Sequence, residues 1–476
     1  MDPKRILVIG GGVCGLVTLR NLIERGSFDK VELVERRDNV GGVWYLDESD
    51  PEARWQSPAY PNLVGNVLPE FLSFSESPFP EPPSTPHQPY PTLKETHDYL
   101  RLFAEKYLER GNIRLNIEVV RVEELDAGKG WEVTMRDWSL PDHAGREFVS
   151  VWDAVAGCTG WFDDPQWPQT EGMEELKQKG LAMHAKSYRG PQKYAGKRAL
   201  IIGNGNSSND IASHLVPLAQ TPVYRSIRRP NLPHFVSLPD PRIVDVPPVK
   251  RFIHDDNNKV TVELKDDTKI EDIDIVFVGS GTYRILDSFI SIIPLMSQAR
   301  APQPRRIPSL HKHILYAYNP TLAFIGTVMP YTPFTIADVS STWLTLVWSN
   351  QVPFPPSPEA RLLFEKERIQ HIERQREIEA AETGREASSL FTYSALGASE
   401  EDYAAGLKAA IVAAKPELES VLPEWSEKRR TYRQSMYEVK RQSLLWLKKQ
   451  KDDLEQAKAN ENGSGLANGV LNGSRS

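Results

Sequence analysis

The chain has almost no cysteine: Cys14 and Cys158 are the only two in 476 residues. That excludes a disulfide framework and any closely spaced redox pair, and each thiol reads as a small packed residue. Long apolar runs are missing as well. The best candidate, Ile285 to Met296, is interrupted by Asp287, Ser288 and Pro294. It falls short of the roughly 18 residues of a spanning helix, so no membrane anchor is expected. There is no basic excess, because 57 Lys and Arg stand against 64 Asp and Glu, a net charge of −7. Nucleic acid is therefore not the expected partner. No signal-peptide pattern precedes the first apolar strand near Met1, so a cytoplasmic location is expected. No metal site is assigned.

What is present begins with RILVIGGGVCGL, Arg5 to Leu16, an apolar strand, a glycine turn and a helix start. Gly10, Gly12 and Gly15 fill the three glycine positions of G-x-G-x-x-G. These serve the tight turn, close backbone approach to a pyrophosphate, and helix-strand packing. KVELVERRD supplies the next strand, and Glu35 ends it about twenty residues beyond the last glycine, where a carboxylate can bond both ribose hydroxyls. An anion there repels a 2′-phosphate, so this site reads as one for FAD or NAD. In NVGGVW, Gly41 and Gly42 precede Trp44, which suits a backbone passing close to a planar ligand.

From Asp47 to Thr92 the chain is rich in proline, serine and aromatics, a long loop of the kind that tends to be functional. Leu93 to Gly111 has apolar residues at helical spacing. Three short alternating runs then predict an antiparallel meander that returns through Asp153 to Gly160.

KRALIIGNGNSSNDIASHL, Lys197 to Leu215, repeats the strand-turn-helix pattern with Gly203, Gly205 and, in the third glycine's place, Ser208. The following strand, VYRSIRR, ends with Arg225, Arg228 and Arg229 rather than an acid. Arginines there suit a 2′-phosphate, so this second site reads as NADPH. One turn rejects a 2′-phosphate and the other welcomes it, as a flavoprotein reduced by NADPH requires. The first site is then better assigned to FAD than to NAD.

A further strand, Ile273 to Val278, ends in Gly279 to Thr282. Strands at His313 to Tyr318 and Leu322 to Ile325 and an apolar helix at Ile336 to Trp348 are expected to return the chain to its first half. The predicted fold is α/β, with two Rossmann-like dinucleotide-binding domains, the NADPH domain inserted into the FAD domain, and a C-terminal helical extension. The expected boundaries are 1–165 and 285–356 for the FAD domain, 166–284 for the NADPH domain, 357–458 for the extension and 459–476 for a disordered tail. Within the extension, Leu444, Leu445, Trp446 and Leu447 leave two partners open, the body of the protein or a second copy in a homodimer.

This order of features resembles the flavin-containing monooxygenases over Arg5 to Trp348. A further shared element is G-x-x-x-H-x-x-x-Y, here Gly180, His184 and Tyr188, followed by Arg189. The family motif begins with phenylalanine where this chain has Gln178, and the related Baeyer-Villiger enzymes have tryptophan at Tyr188. CTG, Cys158 to Gly160, is similar to the family's A-T-G turn. In YPNLVGNVLPEF, Asn66 aligns with its active-site asparagine. DVSSTW stands where the family has E-x-Q-A-R-W, with Asp338 for glutamate and Ser340 for glutamine.

The resemblance implies NADPH-dependent reduction of FAD and transfer of one oxygen atom from O2, through a 4a-hydroperoxyflavin, to a nucleophilic nitrogen or sulfur of a small molecule. It implies Asn66 as the contact to peroxide and nicotinamide, with His184 and Tyr188 shaping the interdomain cleft. Two alternatives stay open: Baeyer-Villiger oxygenation of a ketone, and a non-oxygenating NADPH oxidase or flavin-binding protein.

Overall fold

The computed structural model describes residues 3–48, 53–80, 86–139, 145–228, 237–283, 306–384, 387 and 391–470. Strand β1 (Arg5–Ile9) leads through the glycine turn into helix α1 (Val13–Arg25), and β2 (Lys30–Val34) returns beside β1. The long loop follows, and α2 (Leu93–Glu109) begins where sequence places it. Thr92 and Glu95 form a reciprocal capping box there, worth about 1 kcal/mol to the helix start. Then come β3 (Ile113–Arg114), the antiparallel meander β4 (Ile117–Glu124), β5 (Trp131–Asp137) and β6 (Arg146–Trp152), and β7 (Ala154–Gly157).

The chain continues through β8 (Asp164–Pro165), α3 (Met173–Gln178), β9 (Ala182–His184) and β10 (Arg198–Ile202). Next are α4 (Asn206–Leu215), β11 (Gln220–Ser226) and β12 (Ile243–Val246). A second meander, β13 (Val249–His254), β14 (Val260–Leu264) and β15 (Lys269–Ile273), leads to β16 (Ile275–Val278) and β17 (Thr282–Tyr283). Last come β18 (Leu310–His311), β19 (Leu315–Tyr316), β20 (Leu322–Phe324), α5 (Pro333–Trp348), α6 (Pro358–Thr383), α7 (Glu400–Ala414) and α8 (Glu427–Val470).

Two sheets organise the molecule. The first has the order β18-β19-β20-β7-β1-β2-β3, so strands that precede and strands that follow the second sheet in the chain share it. The second, β12-β11-β10-β16-β9, is parallel throughout and is built from the intervening residues. This is the α/β arrangement expected, one nucleotide-binding half inserted into the other. Strand β1 is apolar without a break because both of its faces are covered. Ile6 and Val8 pack with Leu16, Leu19 and Trp343 on the helical side, while Leu7 and Ile9 pack with Trp131 and Trp152 of the meander. Strand β10 does the same. Leu200 faces the second meander, and Ala199 and Ile201 face α4.

Helix α5 is buried almost throughout and lies against α1. The helix α8 extends to Val470, through part of the stretch expected to be disordered. Adding a residue to an existing helix is far easier than starting one, which lets α8 run into a poor helix-forming sequence. The apolar run Ile285 to Met296 lies outside the described residues. Among the described residues, no helix is long and apolar enough to cross a membrane, and no group of three or more His, Cys, Asp or Glu could hold a metal.

Candidate functional site: two glycine turns and the loop between them

The first turn is closed by backbone contacts that tolerate no side chain. A Cβ on Gly15 would lie 1.8 Å from the Gly10 carbonyl oxygen, and one on Gly42 would lie 2.8 Å from the Gly12 Cα. Gly42 is therefore placed against the turn itself, with Trp44 half-buried beside it. Gly12 caps α1 without a side-chain hydrogen bond, and no acid occupies the first helical turn. The amide donors at this helix start are thus left for an anion. Glu35 is buried at the end of β2. Its Oε2 accepts the Gly11 N–H at 2.6 Å and its Oε1 the Arg37 N–H at 3.0 Å. A carboxylate offers about four lone-pair positions, so both oxygens keep capacity for ribose hydroxyls. The partner turn carries Gly160 at φ +70°, and the Trp161 indole N–H donates to the Gly326 carbonyl at 2.8 Å, tying the CTG turn to the returning chain. Cys14 and Cys158 form no disulfide.

The second turn has the same plan with two differences. A Cβ on Gly205 would meet nothing within 4 Å, so packing does not require glycine there and close approach of a ligand is the remaining reason. Gly205 also caps α4 without a side-chain bond. Ser208 is buried completely, and a Cβ on Gly279 would stand 2.0 Å from its Oγ. Ser208 thus does the helix-strand packing of a third glycine, with room supplied by Gly279.

The register of the two sheets identifies equivalent positions. The Gly10 N–H donates to the Val34 carbonyl and the Gly203 N–H to that of Ser226. Ile227 therefore stands where Glu35 stands, with Arg228 next and exposed. Arg225 departs from the sequence expectation. Its Nε and one Nη donate to Asp245 at 2.7 and 3.0 Å, and its other Nη donates to the Asn209 side-chain Oδ1 at 2.5 Å. Strand β12 pairs in register with β11 and sets Asp245 directly beside Arg225, so this guanidinium is already committed to a carboxylate. Arg229 lies outside the described residues.

His184 and Tyr188 of the linker are both buried rather than open to a cleft, at 4% and 0% exposure. His184 Nδ1 accepts the Lys186 N–H at 3.1 Å, so its proton sits on Nε2, 3.0 Å from the Gly281 carbonyl. Burial lowers its pKa to about 4, keeping the ring neutral. It fixes the turn after β9 to the glycine turn after β16. Tyr188 stacks on His214 and meets Tyr60 edge-on, with centroids 6.1 and 5.7 Å apart. Arg189 donates to the Ser57 carbonyl at 2.8 Å and the Ala59 carbonyl at 3.2 Å, and the Tyr60 hydroxyl donates to Asp210 on α4. The motif thus joins α4 to the loop leading to Asn66. Sequence reasoning missed Tyr60 and Asp210 and gave Gly279 only as the start of a turn, because their contacts exist only in three dimensions. Asn66 itself is exposed on that loop, directly after buried Gly65.

The family model described as flavin-binding monooxygenase-like matches residues 3–231. Flavin-containing monooxygenase FMO GS-OX2 of Arabidopsis thaliana is 28% identical over 379 residues, covering 75% of this chain and 76% of that protein. Among solved structures, the S-allyl-L-cysteine S-oxygenase from Allium sativum aligns with a TM-score of 0.68 at 21% identity, covering 92% of this chain and 99% of that one. Tmm from Pelagibacter sp. strain HTCC7211 aligns with a TM-score of 0.70 at 18% identity, over 91% and 89%. These two likenesses establish the fold. With the two glycine turns, Glu35 and the match over residues 3–231 together, the chain is a flavin-dependent enzyme similar to the flavin-containing monooxygenases.

Proposed function

We propose that this enzyme uses FAD and NADPH to place one oxygen atom from O2 on a nucleophilic sulfur or nitrogen of a small organic molecule. The observation that carries the reading is the contrast at equivalent strand ends, Glu35 in one half and Ile227 followed by Arg228 in the other. When bound, the flavin supplies the redox chemistry, accepting a hydride from NADPH and reacting with oxygen.

The chain's own residues supply the rest. The open α1 amino terminus and the Gly12-Gly42 contact admit the FAD pyrophosphate without a side chain in the way. Glu35 orients the ribose. Gly203 and Gly205 admit the NADPH pyrophosphate, and Arg228, exposed beyond the strand end, meets the 2′-phosphate. Asn66 offers an amide to the nicotinamide and to the reacting oxygen. His184, Tyr188 and Arg189 act as positioning residues, because they touch loops rather than open space.

Sulfur is the first substrate class to test, since one structural relative is named an S-oxygenase. Tyr188 in place of tryptophan favours heteroatom oxygenation over ketone insertion. The enzyme is incubated with NADPH and an equimolar mixture of a sulfide, a tertiary amine and a cyclic ketone, and products are read by mass spectrometry. A mass gain on sulfide or amine supports the reading; oxygen gained by the ketone alone defeats it.

A further inference from the structure

Helix α8 lies outside the residues matched by the family model, yet one stripe of it is committed to the loop that carries Asn66. Arg429, Tyr432, Met436, Lys440, Ser443 and Trp446 recur at intervals of three or four, which is one face of a helix. Each meets a residue between Gly65 and Tyr90. Arg429 pairs with Glu70 at 3.0 Å, and Tyr432 stacks on Phe71 with centroids 5.5 Å apart. The Tyr90 hydroxyl donates to the Met436 carbonyl at 2.6 Å. Ser443 donates to Gln88, and Trp446 stacks on His87 at 5.6 Å.

Lys440 is at the centre of the stripe. Its Nζ donates to the Gly65 carbonyl at 2.8 Å and lies 4.8 Å from the centroid of the Tyr90 ring. The Gly65 carbonyl and the Asn66 N–H belong to one planar peptide unit. Holding that carbonyl therefore fixes the plane from which the Asn66 backbone departs. The Gly65 N–H is fixed as well, donating to the Pro91 carbonyl at 2.9 Å. On the loop's other side, Tyr60 is anchored to Asp210 of α4. The same Asp210 opposes the lowering of the Lys440 pKa that burial causes.

We propose that Lys440 is a positioning residue for the monooxygenase reaction, holding Asn66 in place through the Gly65-Asn66 peptide, so that the C-terminal extension forms part of the active site. This rests on the reading of Asn66 given above. A plain packing role for α8 differs from it in one respect: packing makes no demand on how tightly oxygen transfer is coupled to NADPH use.

Hydrogen exchange of the flavin-free protein over residues 62–72, and hydrogen peroxide released per NADPH consumed by the loaded enzyme, are compared in wild type, Lys440→Met, Lys440→Arg, Asn66→Ala and the Lys440→Met, Asn66→Ala double variant. Loss of a charge-assisted bond is expected to speed exchange in that segment by about tenfold in Lys440→Met. Peroxide release should rise at an unchanged melting temperature, and Lys440→Arg should restore both readouts. In the double variant, Lys440→Met should add no peroxide to that of Asn66→Ala, because the two act in series. Unchanged exchange in Lys440→Met overturns the proposal, and so does an additive leak in the double variant. Faster exchange combined with an Asn66→Ala enzyme that couples as wild type defeats the reading of Asn66, and with it the proposal, while marking which of the two failed. Lys440→Gln, which keeps a donor without the charge, takes the place of Lys440→Met if that variant does not fold.

Discussion

Replacing Asp338 by asparagine should loosen the flavin half by an amount that the buried contacts set. Asp338 is fully buried on α5. Its two oxygens accept from Arg20 at 3.0 and 3.1 Å, from the Ser75 N–H and Oγ each at 2.7 Å, and from Asn21 at 3.1 Å, with Arg25 at 3.5 Å. Arg20 and Arg25 sit on α1, and both are buried. Asparagine keeps the shape and removes the charge, leaving the buried Arg20 without its counter-ion and Arg25 with only the more exposed Glu76, at 3.0 Å. Breaking a buried pair in this way costs about 3–5 kcal/mol. For a large domain each kcal/mol lowers the melting temperature by about 2 °C, so a fall of about 6–10 °C is expected. The assay is release of bound flavin on heating, followed by its fluorescence, because α1 carries the glycine turn. Raising the salt should change the difference little, since buried charges are poorly screened. A fall of less than about 2 °C would mean that the network contributes nothing and that helix packing alone joins α1 to α5. Asp338→Glu keeps the charge but adds a methylene to a filled site, for an expected loss of about 1–3 kcal/mol.

Gly279→Ala should weaken NADPH binding, because the new methyl group would stand 2.0 Å from Ser208 Oγ; adding Ser208→Gly should rescue it, and failure of that rescue in coenzyme titrations would remove the proposed packing pair. Arg228→Ala should raise the KM for NADPH at least about tenfold and leave that for NADH near wild type, from loss of a charge-assisted phosphate bond; equal losses for both coenzymes defeat the 2′-phosphate assignment. Arg225→Ala should weaken the two coenzymes alike, since that side chain serves Asp245 and Asn209. The His184 pKa lies below its unfolded value, at about 4. Its contribution to stability is therefore present above the unfolded value near 6.5 and is lost as pH falls from there towards 4, by about 1.4 kcal/mol per pH unit. Melting temperatures across that window should fall less steeply in His184→Gln, by the equivalent of one proton.

The parts of the fold legible in the sequence were those written as local chemistry. The glycines at 10, 12 and 15 lie close together in sequence, and Gly15 closes on the Gly10 carbonyl five residues away, whereas the contacts of Gly10 with Cys158 and of Gly12 with Gly42 come from the fold. The helical spacing from Leu93 onward and the apolar strands β1 and β10 are of the same kind. Arg225 shows where such reading stops. A basic strand end looks the same whether or not a neighbouring strand brings an acid, and Asp245 arrives twenty residues later through β12. Ser208 reads as a degenerate glycine until Gly279 is seen beside it. His184 and Tyr188 are polar residues in a motif, yet their roles follow from burial, which depends on loops 57–60 and 279–281 closing over them. Lys440 had no sequence signal at all, because lysines on a charged helix are common and only the docked loop distinguishes this one.

Oxygen accounting with isotope-labelled gas is the most direct test of the central claim. The FAD-loaded enzyme is supplied with NADPH, a dialkyl sulfide and ¹⁸O2, and sulfoxide, hydrogen peroxide and NADPH consumed are measured together. The expected result is one labelled oxygen atom per sulfoxide, with sulfoxide matching NADPH consumed. Labelled hydrogen peroxide in place of sulfoxide, for sulfide and amine substrates alike, would contradict oxygen transfer and leave the enzyme an NADPH oxidase.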